Sequence, residues 1–219
     1  MSSKNYDLIL YDLDGTLWDS IPLIMRCFKY AYDEVLGGCD RTDEDLMSYI
    51  GRPLTDTFDM HDEDTAKALL ESYLTYNHML LDQDAIPMFP GVIDDLNYIK
   101  DQGIKQGFVT SKRHRAADVT LKLKGLFDFF DVCLCKEDTD KHKPDGEPLI
   151  VAAQKVGIKD MRKVIYVGDA MPDALCAVNA GAGFALVEWT RMDKDAILQA
   201  APEGSRVIKN LRELITTSC

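Results

Sequence analysis

Asp7-Leu8-Ile9-Leu10-Tyr11-Asp12-Leu13-Asp14-Gly15-Thr16-Leu17 decides how the rest of the chain is read. A short apolar run that breaks off at Asp-x-Asp-Gly has the length and composition of a strand buried on both faces, as in a parallel sheet. Similar runs recur at 106–110, 131–135, 163–167 and 183–187, each rich in Val, Ile, Phe or Tyr and stopped by Gly, Asp or Ser. Helical patterns separate them. Residues 92–101 place Val92, Ile93, Leu96 and Ile99 at helical spacing with Gly103 just beyond as a stop. Residues 115–124 and 147–156 read alike, and 173–180 runs from Pro172 to Gly181. Strands alternating with helices predict an α/β fold, a doubly wound, mostly parallel sheet.

One segment breaks the rhythm. Residues 20–84 contain no strand-like run. Ser20-Ile21-Pro22 opens a helix to about Leu36, with Gly37-Gly38 behind it. Thr42-Asp-Glu-Asp45 has the spacing of a capping box before a short helix. Gly51-Arg52-Pro53 interrupts, Leu54–Asp59 allows another turn or two, and Asp62–Asp82 reads as a long amphipathic helix. The expected organisation is a core of residues 1–18 and 88–219 with a helical cap inserted at 19–87, the crossings lying at Trp18–Ser20 and Pro87–Gly91.

Charge follows the same boundary. The 219 residues carry 37 acids and 25 bases, a formal net of −12. Residues 19–87 alone hold 15 acids and 5 bases, so the surplus belongs to the insertion. An acidic chain repels phosphate backbones, which argues against nucleic-acid partners. No apolar stretch approaches the ~20 residues of a membrane span, and residues 1–7 lack a signal-peptide pattern. The expectation is a cytoplasmic, monomeric or homodimeric protein whose six cysteines are free thiols. Cys133 and Cys135 would share one strand face and pack in the core. The four histidines show no ligand spacing.

Open α/β sheets bind ligands at the C-terminal ends of their strands. Those ends carry Asp12 and Asp14, Thr110, then Asp169 and Asp173, with Lys143 in a loop before the strand at 163–167. Carboxylates packed that closely repel one another unless a cation lies among them, and an oxygen-only donor set suits Mg²⁺. In a chain with 28 Asp, Asp-x-Asp-Gly-Thr arises by chance in roughly one chain in eighty. Its position at a strand end, matched by Gly168-Asp169-x-x-x-Asp173 at another, is what discriminates.

Tyr11–Leu17, Thr110-Ser111-Lys112, Lys143-Pro144 and Val167–Asp173 together resemble the four ordered motifs of the haloacid-dehalogenase-like hydrolases. The resemblance covers essentially the whole chain and extends to the cap after the first motif, as in phosphoglycolate-phosphatase-like members. Gly146 and Trp189-Thr190 depart from the pattern of many relatives. The resemblance implies Asp12 as a nucleophile that forms an aspartyl-phosphate and Asp14 as general acid, then base. Thr110 would bind a phosphoryl oxygen, and Lys143 would offset the charge of nucleophile and phosphate. Asp12, the Asp14 main-chain carbonyl and Asp169 would hold Mg²⁺, with Asp173 one shell further out. Gly15, Ser111, Lys112 and, from the cap, Arg52 are the candidate substrate contacts.

A Mg²⁺-dependent phosphatase acting on a small, phosphoglycolate-like phosphorylated metabolite is therefore expected. A phosphomutase or pyrophosphatase on the same scaffold is the alternative. A receiver-type signalling domain, which also phosphorylates an Asp, has neither a helical insertion there nor an acid two residues on. A cap at net −10 facing an anionic substrate must turn its acids outward, which makes its few cations informative. Arg52→Ala should raise KM for the true substrate far more than for a small generic phosphate ester. Steady-state kinetics on both decide it, and equal effects would remove Arg52 from the substrate site.

Overall fold

The chain reverses its direction of sheet growth after its third strand, and that reversal creates the crevice. The computed structural model describes residues 6–50, 54–81 and 86–215. Strands β1 (Leu8–Tyr11), β2 (Lys105–Val109), β3 (Val132–Leu134), β4 (Val164–Gly168), β5 (Gly183–Val187) and β6 (Arg206–Ile208) form one sheet in the order β3-β2-β1-β4-β5-β6. Every pairing is parallel; Leu10 lies between Gly107 on one side and Tyr166 on the other. The first three strands grow one way from β1 and the last three the other way. The C-terminal ends of β2, β1 and β4 therefore flank a topological switch point.

Strand β1 lies wholly within the sheet, and all four of its residues are buried. Helices α4 (Val92–Asp101), α5 (His114–Leu123), α6 (Glu147–Lys155), α7 (Met171–Ala180) and α8 (Lys194–Ala200) accompany the sheet. The doubly wound α/β class read from the sequence is the observed one. Strand β6 and helix α8 were not anticipated. The first is three residues long with Arg206 exposed, and the second buries only Ile197, so neither carries a periodic signal.

Between β1 and α4 the chain runs through α1 (Ile21–Leu36), α2 (Asp43–Met47), a 3₁₀ turn (Leu54–Thr57) and α3 (Glu63–Leu81), with no strand among the described residues. Pro22 sits in the first turn of α1, and Gly37 ends it at φ +74°, donating its N–H to Asp33 O at 3.0 Å. Thr42 and Asp45 cap α2 reciprocally, as their spacing predicts. Ser20 stands before α1 without a side-chain capping bond. The inner face of α1 contributes Cys27, Phe28 and Ala31 to a core shared with Leu69, Tyr73 and Leu80 of α3. Every described acid side chain from Asp33 to Glu71 is exposed, so the charge surplus faces solvent.

The two crossings pair with each other. Asp19 N–H donates to Pro87 O at 2.9 Å, and Phe89 N–H donates to Leu17 O at 3.2 Å. The insertion thus leaves and re-enters the sheet layer at one spot. Elsewhere, the N-terminal end of α6 presses on the end of α7: a Cβ on Gly146 would meet Ala180 N and Asn179 C at 2.5 Å. Backbone cannot yield as a flexible side chain can. Gly146→Ala should therefore destabilise the protein by about 1–3 kcal/mol, the usual cost of overpacking. Thermal denaturation measures it, and an unchanged Tm would refute the contact.

Candidate active site

Carboxylates at the switch point are held apart by two lysines. Asp12 follows β1, and Asp169 follows β4; Asp173 lies in the first turn of α7, and all three are buried. Lys143, also buried, comes from the loop before α6. Its ammonium donates to Asp12 Oδ1 at 2.8 Å and to Asp173 Oδ1 at 2.7 Å. The same nitrogen lies 3.2 Å from the Tyr166 hydroxyl, whose proton goes to Val109 O at 2.7 Å. Asp173 turns its other oxygen to the Asp169 and Ala170 N–H groups at 3.2 and 3.1 Å. Both oxygens of Asp173 are therefore occupied.

Across the crevice, Lys112 donates to both oxygens of Asp14, at 2.8 and 2.7 Å, and Trp18 Nε1 adds a bond at 3.1 Å. Thr110 is buried and accepts the Lys112 N–H at 3.2 Å. Ser111 Oγ is buried with no hydrogen-bond partner among the described residues. These residues of the two sides, Asp12, Asp14, Thr110, Ser111, Lys112 and Lys143, line one cavity of about 420 Å³ together with Asp169 and Asp173.

Gly15 takes the tight turn after Asp14. It does not line the cavity, and its N–H donates to Trp18 O at 2.9 Å. Its φ is +78°, and a Cβ there would collide with the Asp169 carboxylate. Gly15 makes room for Asp169. Arg52 lies outside the described residues.

Sequence reasoning passed over Tyr166, which reads as one more apolar residue of a strand, and gave Trp189-Thr190 in the loop after β5 no part in the site. There Thr190 Oγ1 donates to Asp169 O at 2.6 Å, and Trp189 Nε1 donates to Thr16 O at 3.2 Å. Among the histidines, His78 lines the cavity. His114 lies with Cys135 and Asp138 in a second cluster of ligand-type side chains. There Asp138 Oδ2 already accepts from Cys135 N at 2.7 Å and contacts His114 Nε2 at 2.9 Å, which ties the loop internally.

Burial pushes the Asp12 carboxyl up to about 7; the charges of Asp173 and Asp14 add to this, and Lys143 opposes them. Asp169 is driven well above the ordinary carboxylate range by burial and by Asp173 and Asp12. Asp14 moves the other way. Burial disfavours its charged form, yet the Lys112 ammonium outweighs that and leaves it below the usual value. Burial also disfavours the Lys143 ammonium, but Asp12 and Asp173 raise it above an ordinary lysine.

One oxygen from each of Asp12, Asp169 and Asp173 falls within 4.8 Å of the others. Asp169 Oδ2 is buried without a hydrogen-bond partner among the described residues. An orphaned, desolvated carboxylate oxygen beside two more carboxylates fits a hard divalent cation.

Such a carboxylate rim, at the switch point of a doubly wound sheet with a helical insertion after its first strand, defines an α/β enzyme whose chemistry centres on acids. The chain belongs to the haloacid dehalogenase-like hydrolases, whose family model matches residues 9–187. It is 32% identical to the pyrophosphatase PpaX of Bacillus pumilus over 98% of this chain and 97% of that one. It is 35% identical to pyrophosphatase PpaX of Bacillus cereus over 83% of each. A haloacid dehalogenase-like family hydrolase from Streptococcus pneumoniae shares the fold, with a TM-score of 0.80 at 23% identity over 94% of this chain and 95% of that one.

The raised Asp12 value has a measurable consequence. An exposed carboxyl in the unfolded chain titrates near ~3.9. Between about pH 4 and the folded value of about 7, the folded protein keeps a proton that the unfolded chain has released. Stability owed to this group is therefore present at low pH and lost as pH rises through that window. In metal-free buffer, the Tm difference between Asp12→Asn and wild type should move in favour of the variant from pH 4 to 7. An added divalent cation held by these carboxylates should reverse that trend by stabilising wild type. A difference independent of pH would contradict the burial argument.

Proposed function

We propose that this protein is a Mg²⁺-dependent phosphatase that hydrolyses a small phosphorylated metabolite through an aspartyl-phosphate. The observation that carries the reading is the Lys143 ammonium, 2.8 Å from Asp12, beside the orphaned Asp169 oxygen and opposite Asp14 in one cavity. Family membership supports the reaction class, and the PpaX relatives are named for a phosphate substrate.

Asp12 and Asp169, with the Asp14 main-chain carbonyl, would hold Mg²⁺; the ion would neutralise charge between nucleophile and phosphoryl oxygens. Asp12 attacks phosphorus as a carboxylate, for Lys143 favours its ionised form and gives the incoming phosphoryl group a positive neighbour. The bond from phosphorus to the leaving oxygen breaks, and Asp14 donates a proton to that oxygen. Asp14 then takes a proton from the water that attacks the aspartyl-phosphate, releasing inorganic phosphate and restoring Asp12.

For Asp14 to act as an acid it must first be protonated, and Lys112 opposes that while it grips both oxygens. A substrate phosphate drawing Lys112 away would let the Asp14 pKa rise as the leaving group arrives. Thr110 and Ser111 supply hydroxyls to the phosphoryl oxygens, the latter with an Oγ that has no other partner among the described residues. Closure of the helical cap of residues 19–87 over the core would exclude bulk water from the intermediate.

Phosphate release over a metabolite panel with Mg²⁺ tests the reading. Wild type should release phosphate from at least one substrate without a bisphosphate activator, which also separates it from a phosphomutase. Asp12→Asn should lose at least about 10³-fold in kcat, on the scale of removing a covalent nucleophile, and chelation of the metal should abolish turnover. Activity surviving in Asp12→Asn would overturn the mechanism.

A further inference from the structure

The cavity is far larger than a phosphoryl group requires. About 420 Å³ falls in the range of pockets that enclose whole small molecules, and its two walls differ in kind. The catalytic wall is polar and charged. The wall supplied by the insertion is mostly apolar and aromatic, with Ile24 and Phe28 of α1, Tyr49 and Ile50 after α2, and Tyr73 and Leu74 of α3; its polar members are Thr57, Asn77 and His78. Among the described residues that line the cavity from the insertion, none is Lys, Arg, Asp or Glu.

The aromatic part of this wall is fixed in place. The Phe28 ring lies 4.9 Å from Tyr73 and 5.8 Å from Tyr49, centroid to centroid, and Phe58 backs it at 6.0 Å. A second phosphate placed against Phe28, Tyr49 and Tyr73 would lose hydration and meet rings in place of a charged partner. Among the described residues, the lysines and arginines that line the cavity, Lys112, Arg113, Arg115, Lys136 and Lys143, all stand on the catalytic wall, where Lys112 is bonded to Asp14 and Lys143 to Asp12 and Asp173. An apolar ring against the opposite wall would gain from leaving water and from edge or offset contacts with the aromatic cluster.

We infer that the substrate is a phosphate monoester whose organic body carries a flat, largely apolar ring, seated against Phe28, Tyr49 and Tyr73. This inference rests on the phosphatase reading above and narrows it, away from pyrophosphate and from small polar esters such as phosphoglycolate. Its chemical basis is a division of labour: the catalytic wall grips the phosphoryl group, and the insertion recognises what is attached to it.

The test compares kcat/KM for benzyl phosphate, ethyl phosphate, phosphoglycolate and inorganic pyrophosphate on the intact protein with Mg²⁺. Benzyl and ethyl alcohols leave with similar basicity, so their ratio reports the ring. Benzyl phosphate should exceed ethyl phosphate by about tenfold or more, and it should exceed phosphoglycolate and pyrophosphate as well. In Leu74→Asn the benzyl-to-ethyl ratio should fall at least threefold. Equal rates for benzyl and ethyl phosphate overturn the inference, as does preference for pyrophosphate or phosphoglycolate, while leaving the phosphatase intact. Phosphate release from none of the four, nor from the wider metabolite panel, overturns the phosphatase reading itself and the inference with it. If Leu74→Asn does not fold, the substrate series on wild type decides alone.

Discussion

A buried ammonium among carboxylates is the interaction on which this structure turns. Three aspartates gathered at the ends of adjacent elements would repel one another, and burial would drive them toward neutrality. Lys143 reverses part of that by touching Asp12 and Asp173 at once while Tyr166 orients it from below. Breaking a buried pair of this kind typically costs ~3–5 kcal/mol, so the loop before α6 is pinned to the sheet by the same contact that offsets the charge of Asp12. Asp173 extends the arrangement, since its second oxygen holds the turn that presents Asp169.

Lys112 and Asp14 form the counterpart across the crevice, with an opposite electrical outcome. Asp12 is pushed toward the neutral form by its surroundings, whereas Asp14 is held as a carboxylate. Two aspartates separated by a single residue are thereby given different proton affinities. The difference comes from what surrounds each one: Asp12 shares its pocket with like charges, and Asp14 has a lysine to itself.

Much of this was legible in the sequence because buried parallel strands are short uninterrupted apolar runs, and the residue ending each run is the one that reaches the rim. Asp12, Thr110 and Asp169 could be placed on that basis alone. Tyr166 could not, since its hydroxyl matters only through the pairing that sets β4 two strands from Val109. Trp189 and Thr190, which stand out as departures from the family's pattern, have donors aimed at the main-chain oxygens of Thr16 and Asp169; long-range bonds of that kind leave no local trace. Gly146 is a similar case. Its missing side chain answers to the Asn179–Ala180 backbone more than thirty residues away. The apolar wall of the cavity was silent in the sequence for another reason: Phe28 of α1 and Tyr73 of α3 are core and lining at once, and helical spacing carries only the first property.

The paired crossings carry a further consequence. Because Asp19 meets Pro87 and Leu17 meets Phe89, the helical segment begins and ends at a single hydrogen-bonded clasp. To the sheet, everything beyond that clasp is one closed loop, and the entropy of closing a flexible loop grows only logarithmically, by ~0.6 kcal/mol for each doubling of length. The helical segment can therefore lengthen, shorten or be replaced over evolution at little thermodynamic cost to the sheet layer. Helical segment and sheet reside in one polypeptide yet are free to diverge at different rates.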